Sequence, residues 1–150
     1  MFIETAAQGV RMVRPRSFAA LMTLYADNHS RLRQLLGELL RLPPVLVSVS
    51  ATDLSLFLTL EERCRYTTSL RMTYRFDADG CSSVYPDLLL RIYHDARLVE
   101  AASCSQQPPR HAAVKGVLLP AAYELERRWT LNIFLNKWLA YCLDNRHVFA

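Results

Sequence analysis

Glycine is scarce in this chain, and no two glycines lie close together. The 150 residues contain four, at Gly9, Gly37, Gly80 and Gly116. Loops that cradle phosphate groups need clustered glycines, because their backbone N–H groups must approach the ligand closely. The sequence therefore excludes a glycine-rich dinucleotide-binding fold and a P-loop nucleotidase.

Paired cysteines are also missing. The four cysteines are far apart and form no Cys-x-x-Cys motif, so neither a zinc site nor a dithiol redox site is indicated. We therefore expect no metal ion and no cofactor. In a cytoplasmic chain we expect reduced thiols rather than disulfides, with Cys142 in an apolar helical stripe of the core and Cys81 exposed after a turn.

Long apolar runs are absent as well. No run approaches the roughly 20 residues that span a bilayer, and the first dozen residues lack the basic start and apolar core of a secretory signal. We expect a cytoplasmic protein without a membrane partner. Residues 1–16 are predicted to be a poorly ordered extension, and Met12 is an alternative start to Met1.

Lysine is almost absent, although the chain is basic. The net charge is +4, and only Lys115 and Lys137 among the 18 basic residues are lysine. Arginine offers a planar fork that suits phosphate or carboxylate groups, so anion recognition is one interpretation, and compositional bias is the other. The arginines are scattered and form no dense basic run, so a nucleic-acid partner is not expected.

Hydrophobic periodicity predicts the fold class. A period of three to four residues predicts a helix over residues 17–40 and another over 122–143. Apolar and polar residues alternate between them, which predicts about five strands, at 45–51, 54–62, 65–76, 88–95 and 97–104. Short connections favour an antiparallel sheet with the two helices packed on it. We therefore predict one α+β domain of order α-β-β-β-β-β-α over residues 17–145, followed by a tail at 146–150.

The third predicted strand places arginines on one face. Arg65, Arg71 and Arg75 alternate with an apolar set that is predicted to point inward: Tyr66, Leu70, Met72, Tyr74 and Phe76. The outward face is either solvated or a shallow anion-binding surface. Arg91 on the next strand joins that surface if neighbouring strands share the face.

The fourth predicted strand ends in a cluster of ionisable side chains. Alternation points His94 to one face and Arg91, Tyr93 and Asp95 to the other. His94 is a candidate general acid-base if a carboxylate lies within reach, such as Glu100 across the hairpin. Glu61 and Glu62 are the alternative partners, and a structural role for His94 within the hairpin is the other interpretation.

Several blocks of residues carry a family resemblance. They are Arg65-Tyr66-Thr67-Thr68, Arg91-Ile92-Tyr93-His94-Asp95, Glu100, Ser105-Gln106-Gln107, and Phe134-Leu135-x-x-Trp138-Leu139-x-Tyr141-Cys142-Leu143. Together they resemble the YqiB-like proteins, a proteobacterial family with a domain of unknown function. The resemblance covers roughly residues 13–145 and implies no activity. Family genes lie near genes for nucleotide-cleaving enzymes, which is an association and not a chemistry.

Three hypotheses about function follow. The first is a non-enzymatic binding or regulatory module for a protein partner or a small anionic, nucleotide-like ligand. Its candidate residues are Arg65, Arg71, Arg91, Tyr93, Asp95 and Glu100. The second is a small hydrolase that acts on a phosphorylated or nucleotide substrate, with His94 as acid-base and Arg91 holding the anion. The third is a chaperone-like assembly protein, for which a homodimer is expected.

Overall fold

Within the part of the chain that the structure describes, two helices pack on one antiparallel sheet. The computed structural model describes residues 17–78, 81–104 and 121–149. Their elements in chain order are α1 (Phe18–Leu36), β1 (Val45–Val49), β2 (Leu56–Arg63), β3 (Thr67–Ala78), β4 (Cys81–Tyr93), β5 (Leu98–Cys104), α2 (Ala121–Asp144) and β6 (Val148–Phe149). The strands lie in the order β5-β4-β3-β2-β1-β6. The predicted α+β class with an N-terminal and a C-terminal helix is confirmed.

Helix α1 begins as predicted and ends earlier than predicted. The Ser17 hydroxyl accepts a hydrogen bond from the Ala20 N–H at 3.1 Å, which caps the first turn. Gly37 ends the helix with a φ of 84° and donates its N–H to the Arg33 carbonyl. This left-handed conformation favours glycine, so the helix stops before residue 40.

The core lies between the two helices and one sheet face. Alternating residues of the central strands, such as Leu70, Met72 and Leu90, are almost completely buried against both helices. Tyr66 was predicted to join them, but 54% of it is exposed. The reason is that β3 begins only at Thr67, so Arg65 and Tyr66 lie in a bend before the strand.

Among the described residues the sheet has six strands instead of about five. Val148 and Phe149, predicted to lie in a tail, form β6 and pair with Val49 and Ser48 of β1. Strand β4 begins at Cys81, well before the predicted start at residue 88. Short strands such as β6 carry no periodic signal, because two residues cannot show alternation.

Buried asparagines cover the free edge of β5. The Asn132 side chain of α2 accepts from the Ala101 N–H at 2.7 Å and donates to the Ala101 carbonyl at 3.4 Å. Asn28 of α1 donates to the Val99 carbonyl at 3.4 Å and to Asn132 at 3.3 Å. Both asparagines are fully buried. The helices therefore satisfy backbone groups that an edge strand otherwise presents to solvent or to another chain.

Some predictions fall outside the described residues. These are the poorly ordered extension at 1–16, the tip of the turn before Cys81 at 79–80, the direction of the Phe76 side chain and the exposure of the Cys81 thiol. Among the described cysteines, Cys142 is buried in the core, as predicted, and Cys64, Cys104 and Cys142 are free thiols.

Candidate functional site

The turn between β4 and β5 holds His94 in place. Strand β4 ends at Tyr93, and residues 94–97 form the turn. The His94 N–H donates to the Tyr66 carbonyl at 2.9 Å, and its Nε2 lies 2.7 Å from the hydroxyl oxygen of Thr68. The imidazole is therefore fixed to the start of β3 and is half-buried at the end of the core-facing side of the sheet.

Four basic side chains meet where this turn approaches α1. His29 and Arg33 of the helix and His94 and Arg97 of the turn line one cavity of about 200 Å³, together with Glu38, Leu39 and Leu40. A neighbouring cavity of about 470 Å³ shares His29, Arg33 and Arg97. We call the four basic residues the basic groove.

Arg97 adopts an unusual backbone conformation beside the groove. Its φ is 57°, in the left-handed region that glycine, asparagine or aspartate normally occupies. For other residues this conformation costs about 1–2 kcal/mol, because the Cβ approaches the following carbonyl oxygen. Arg97 is the last residue of the turn, and this conformation leads the chain into β5.

The electrostatics of the groove disfavour further positive charge. Burial lowers the pKa of His29, and the nearby guanidinium groups of Arg97 and Arg33 lower it further. Burial and Arg63 lower the pKa of His94. Both imidazoles are therefore held towards their neutral forms, and an anion that enters the groove would favour their protonation.

The structure brings together three residues of the predicted site. Arg91 and Glu100 are opposite each other on β4 and β5. The Tyr93 hydroxyl donates to Glu100 Oε1 at 2.6 Å, and Arg91 Nη1 lies 3.5 Å from the same oxygen. Arg128 of α2 donates to Glu100 Oε2 at 3.3 Å. The Glu100 carboxylate is buried, so these contacts neutralise it and join the sheet to α2.

The other predicted binding residues lie apart from that cluster. Arg71 forms ion pairs with Asp87 at 3.1 Å and Glu61 at 3.7 Å. The exposed Arg65 guanidinium stacks over the Tyr66 ring, 5.2 Å from its centroid.

Asp95 lies in the turn and accepts a hydrogen bond from the Ala96 N–H at 2.9 Å, which stabilises the turn. The three proposed carboxylate partners of His94 are also engaged elsewhere: Glu100 accepts from Tyr93, Glu61 pairs with Arg71, and Glu62 accepts from the Cys64 thiol. The carboxylate that shares a cavity with His94 is Glu38.

Sequence reasoning missed a second histidine cluster. His147 lies with its Nδ1 2.6 Å from the Ser48 hydroxyl oxygen and its Nε2 2.8 Å from Asp53 Oδ2. The Tyr74 hydroxyl donates to the same Asp53 oxygen at 2.5 Å. Burial alone would raise the pKa of Asp53, but the hydrogen bonds from Tyr74 and His147 outweigh it and lower that pKa. No local signal could reveal the cluster, since Ser48 and His147 are 99 residues apart.

The residue types of this cluster are those of a hydrolase triad, but its serine is inaccessible. Ser48 is fully buried, and its hydroxyl oxygen accepts from the Leu56 N–H at 2.8 Å. Ser48 and Asp53 therefore engage both ring nitrogens of His147. The cluster therefore anchors β6 to β1, and its serine hydroxyl is not exposed to a substrate.

Comparison with known proteins places the chain in a family. The family model described as "Protein of unknown function (DUF1249)" matches residues 31–148. The uncharacterized protein YqiB of Escherichia coli strain K12 is 33% identical over 126 residues, which cover 84% of this chain and 88% of that protein. The chain belongs to the DUF1249 family. The YqiB proteins of the E. coli strains CFT073 and O157:H7 show the same identity and coverage, and the predicted resemblance is confirmed.

DUF1249 membership names no chemistry. The match to the family model spans Arg33, His94 and Arg97 of the basic groove and also His147. No solved structure matches the chain. Within residues 17–78, 81–104 and 121–149, neither helix is long and apolar enough to cross a membrane.

Proposed function

We propose that this chain is a binding module for a small anionic ligand, and that the basic groove is its binding site. The observation that carries the proposal is the convergence of His29, Arg33, His94 and Arg97 on adjoining cavities. Arginine and histidine side chains that converge in a concave site are suited to phosphate or carboxylate groups.

The distribution of ion pairs favours the groove, rather than the outer face of the sheet, as the anion-binding site. Arg71 and Arg91 on that face are paired with the carboxylates of Asp87, Glu61 and Glu100. Within the described residues, Arg33 and Arg97 form no ion pair. A ligand at the groove therefore need not displace a carboxylate from either guanidinium, which lowers the cost of binding.

Arg97 provides the test of this proposal. Arg97→Gly removes the guanidinium and also relieves the left-handed backbone conformation, so the variant should fold as well as the parent protein. Arg146→Gly is the matched control, because Arg146 is exposed, has a φ of 54° and lies outside the groove.

The measurement is calorimetric titration with inorganic phosphate and pyrophosphate. We expect Arg97→Gly to weaken binding about tenfold or more, since a hydrogen bond to a charged group contributes about 1.5–3 kcal/mol. Arg146→Gly should bind as the parent does. Absence of binding by the parent, or equal binding by the Arg97 and Arg146 variants, would overturn the proposal.

A hydrolase is the second candidate, because His94 and Glu38 line the same cavity. A nearby carboxylate supports general acid-base chemistry at an imidazole. His94 Nε2 is engaged by Thr68, so Nδ1 is the nitrogen that would transfer a proton. If the protein is a hydrolase, we expect it to cleave phosphate esters slowly. His94→Gln should abolish this cleavage, and His29→Gln should reduce it less. A parent protein that binds such esters without cleaving them would refute it.

A further inference from the structure

The basic groove has a shared centre and two different ends. His29, Arg33 and Arg97 belong to both cavities, so positive charge is concentrated where the cavities meet. One end continues past Glu38, Leu39 and Leu40. The other end continues past Ala26, Ser30 and Gln34. The volumes of about 200 and 470 Å³ suit a ligand larger than a bare anion.

The presence of Glu38 in the groove is not accounted for by a site that binds only a bare anion. Its carboxylate repels an anion held by the arginines, so it weakens a site for inorganic phosphate. A carboxylate accepts hydrogen bonds and donates none, and ligand hydroxyl groups are natural donors to it. The Leu40 N–H donates to Glu38 Oε1 at 3.3 Å, which orients the carboxylate and leaves Oε2 to accept from a ligand.

We propose that the groove binds a phosphate ester of a hydroxyl-bearing group, such as a sugar or another polyol. The phosphate lies at the shared centre, on Arg33, Arg97 and His29. The hydroxyl groups lie at the Glu38 end, and Leu39 and Leu40 contact the carbon skeleton. This inference rests on the proposed function and adds the class of the ligand.

His29 also suits the shared centre of the groove to a phosphate group, because its imidazole can take up a proton when the phosphate binds. The pKa of His29 is lowered by burial and by Arg97 and Arg33. A phosphate dianion offsets those cations, so binding should be accompanied by proton uptake at His29. Glu38 on the adjoining segment and His94 on the turn are the other titratable groups that face this centre.

Glu38→Gln tests the inference with three probes. The probes are inorganic phosphate, butyl phosphate and ribose 5-phosphate; the last two are both phosphate monoesters, and only ribose 5-phosphate carries hydroxyl groups on its carbon skeleton. The amide of the introduced glutamine can keep the Leu40 bond through its carbonyl oxygen, and its NH₂ group cannot accept from a hydroxyl. Glu126→Gln is the control, since Glu126 is exposed on α2 and outside the groove.

We expect the parent to bind ribose 5-phosphate about tenfold more tightly than butyl phosphate. Glu38→Gln should weaken ribose 5-phosphate binding and strengthen binding of the other two probes, because it removes both an acceptor and a negative charge. Glu126→Gln should change none of the three affinities.

The outcomes separate the inference from the proposed function. If phosphate and butyl phosphate bind but ribose 5-phosphate binds no better, the ligand class is wrong and anion binding stands. The same holds if the preference for ribose 5-phosphate survives Glu38→Gln. If none of the three probes binds, both the inference and the proposed function are overturned.

Discussion

Replacement of Asn132 by leucine should strongly destabilise the protein, because leucine cannot make the hydrogen bonds of the asparagine amide. The Asn132 side chain satisfies both the N–H and the carbonyl of Ala101, and it is fully buried. Leucine keeps the branched shape of the side chain but is bulkier, and it leaves both backbone groups without a partner. A buried unsatisfied polar group costs about 1–3 kcal/mol, so the free energy of unfolding should fall by about 4 kcal/mol.

Urea unfolding of Asn132→Leu measures this loss as a lower midpoint at an unchanged slope. Asn136→Leu is the control, because its side chain donates to the side chains of Asn28 and Asp27 rather than to the backbone of β5. It should cost about 1 kcal/mol. Hydrogen exchange at the Ala101 amide should accelerate in Asn132→Leu alone. Equal losses in the two variants would refute our account of the β5 edge.

Two further predictions concern charge. The pKa of His29 is lowered by burial and neighbouring cations. The unfolded chain therefore binds more protons than the folded protein just below about pH 6.5. As a result, the free energy of unfolding should fall when the pH is lowered from about 7.5 to about 5.5. Unfolding midpoints should show a smaller fall in His29→Gln, and an equal fall would contradict the assignment. Glu100→Gln removes the buried carboxylate that Arg91 and Arg128 share and should cost about 2 kcal/mol, since both guanidinium groups remain partly solvated. Asp144→Asn, at the exposed end of α2, should cost less than about 0.5 kcal/mol, and similar losses in the two variants would exclude a special role for Glu100.

The predictable parts of the fold depend on neighbours in the sequence. Ser17 caps the first helix through a residue three positions away. The alternation at Leu70 and Met72 identifies the buried face of β3 because side chains of a strand alternate. The pairing of Arg91 with Glu100 was also accessible, since both flank one short turn.

The groove and the His147 cluster depend on packing that no local pattern encodes. His29 meets Arg97 because Asn28, the preceding residue, binds the Val99 carbonyl of β5, 71 residues away. Periodicity identifies the apolar side of a helix but not the turn that its boundary residues will face. The sequence therefore indicated His94 as a candidate and could not indicate its neighbours.

The anchoring of β6 has a consequence for the order of folding. Ser48 finds its partner, His147, only after 99 further residues have been synthesised. Until then the β6 side of β1 has no strand beside Val49, and Asp53 lacks the imidazole that later pairs with it. Contacts so distant in sequence form late, because a long loop must close first. During synthesis, β1 therefore passes through a period in which its edge can pair with the wrong strand, including one from a neighbouring nascent chain.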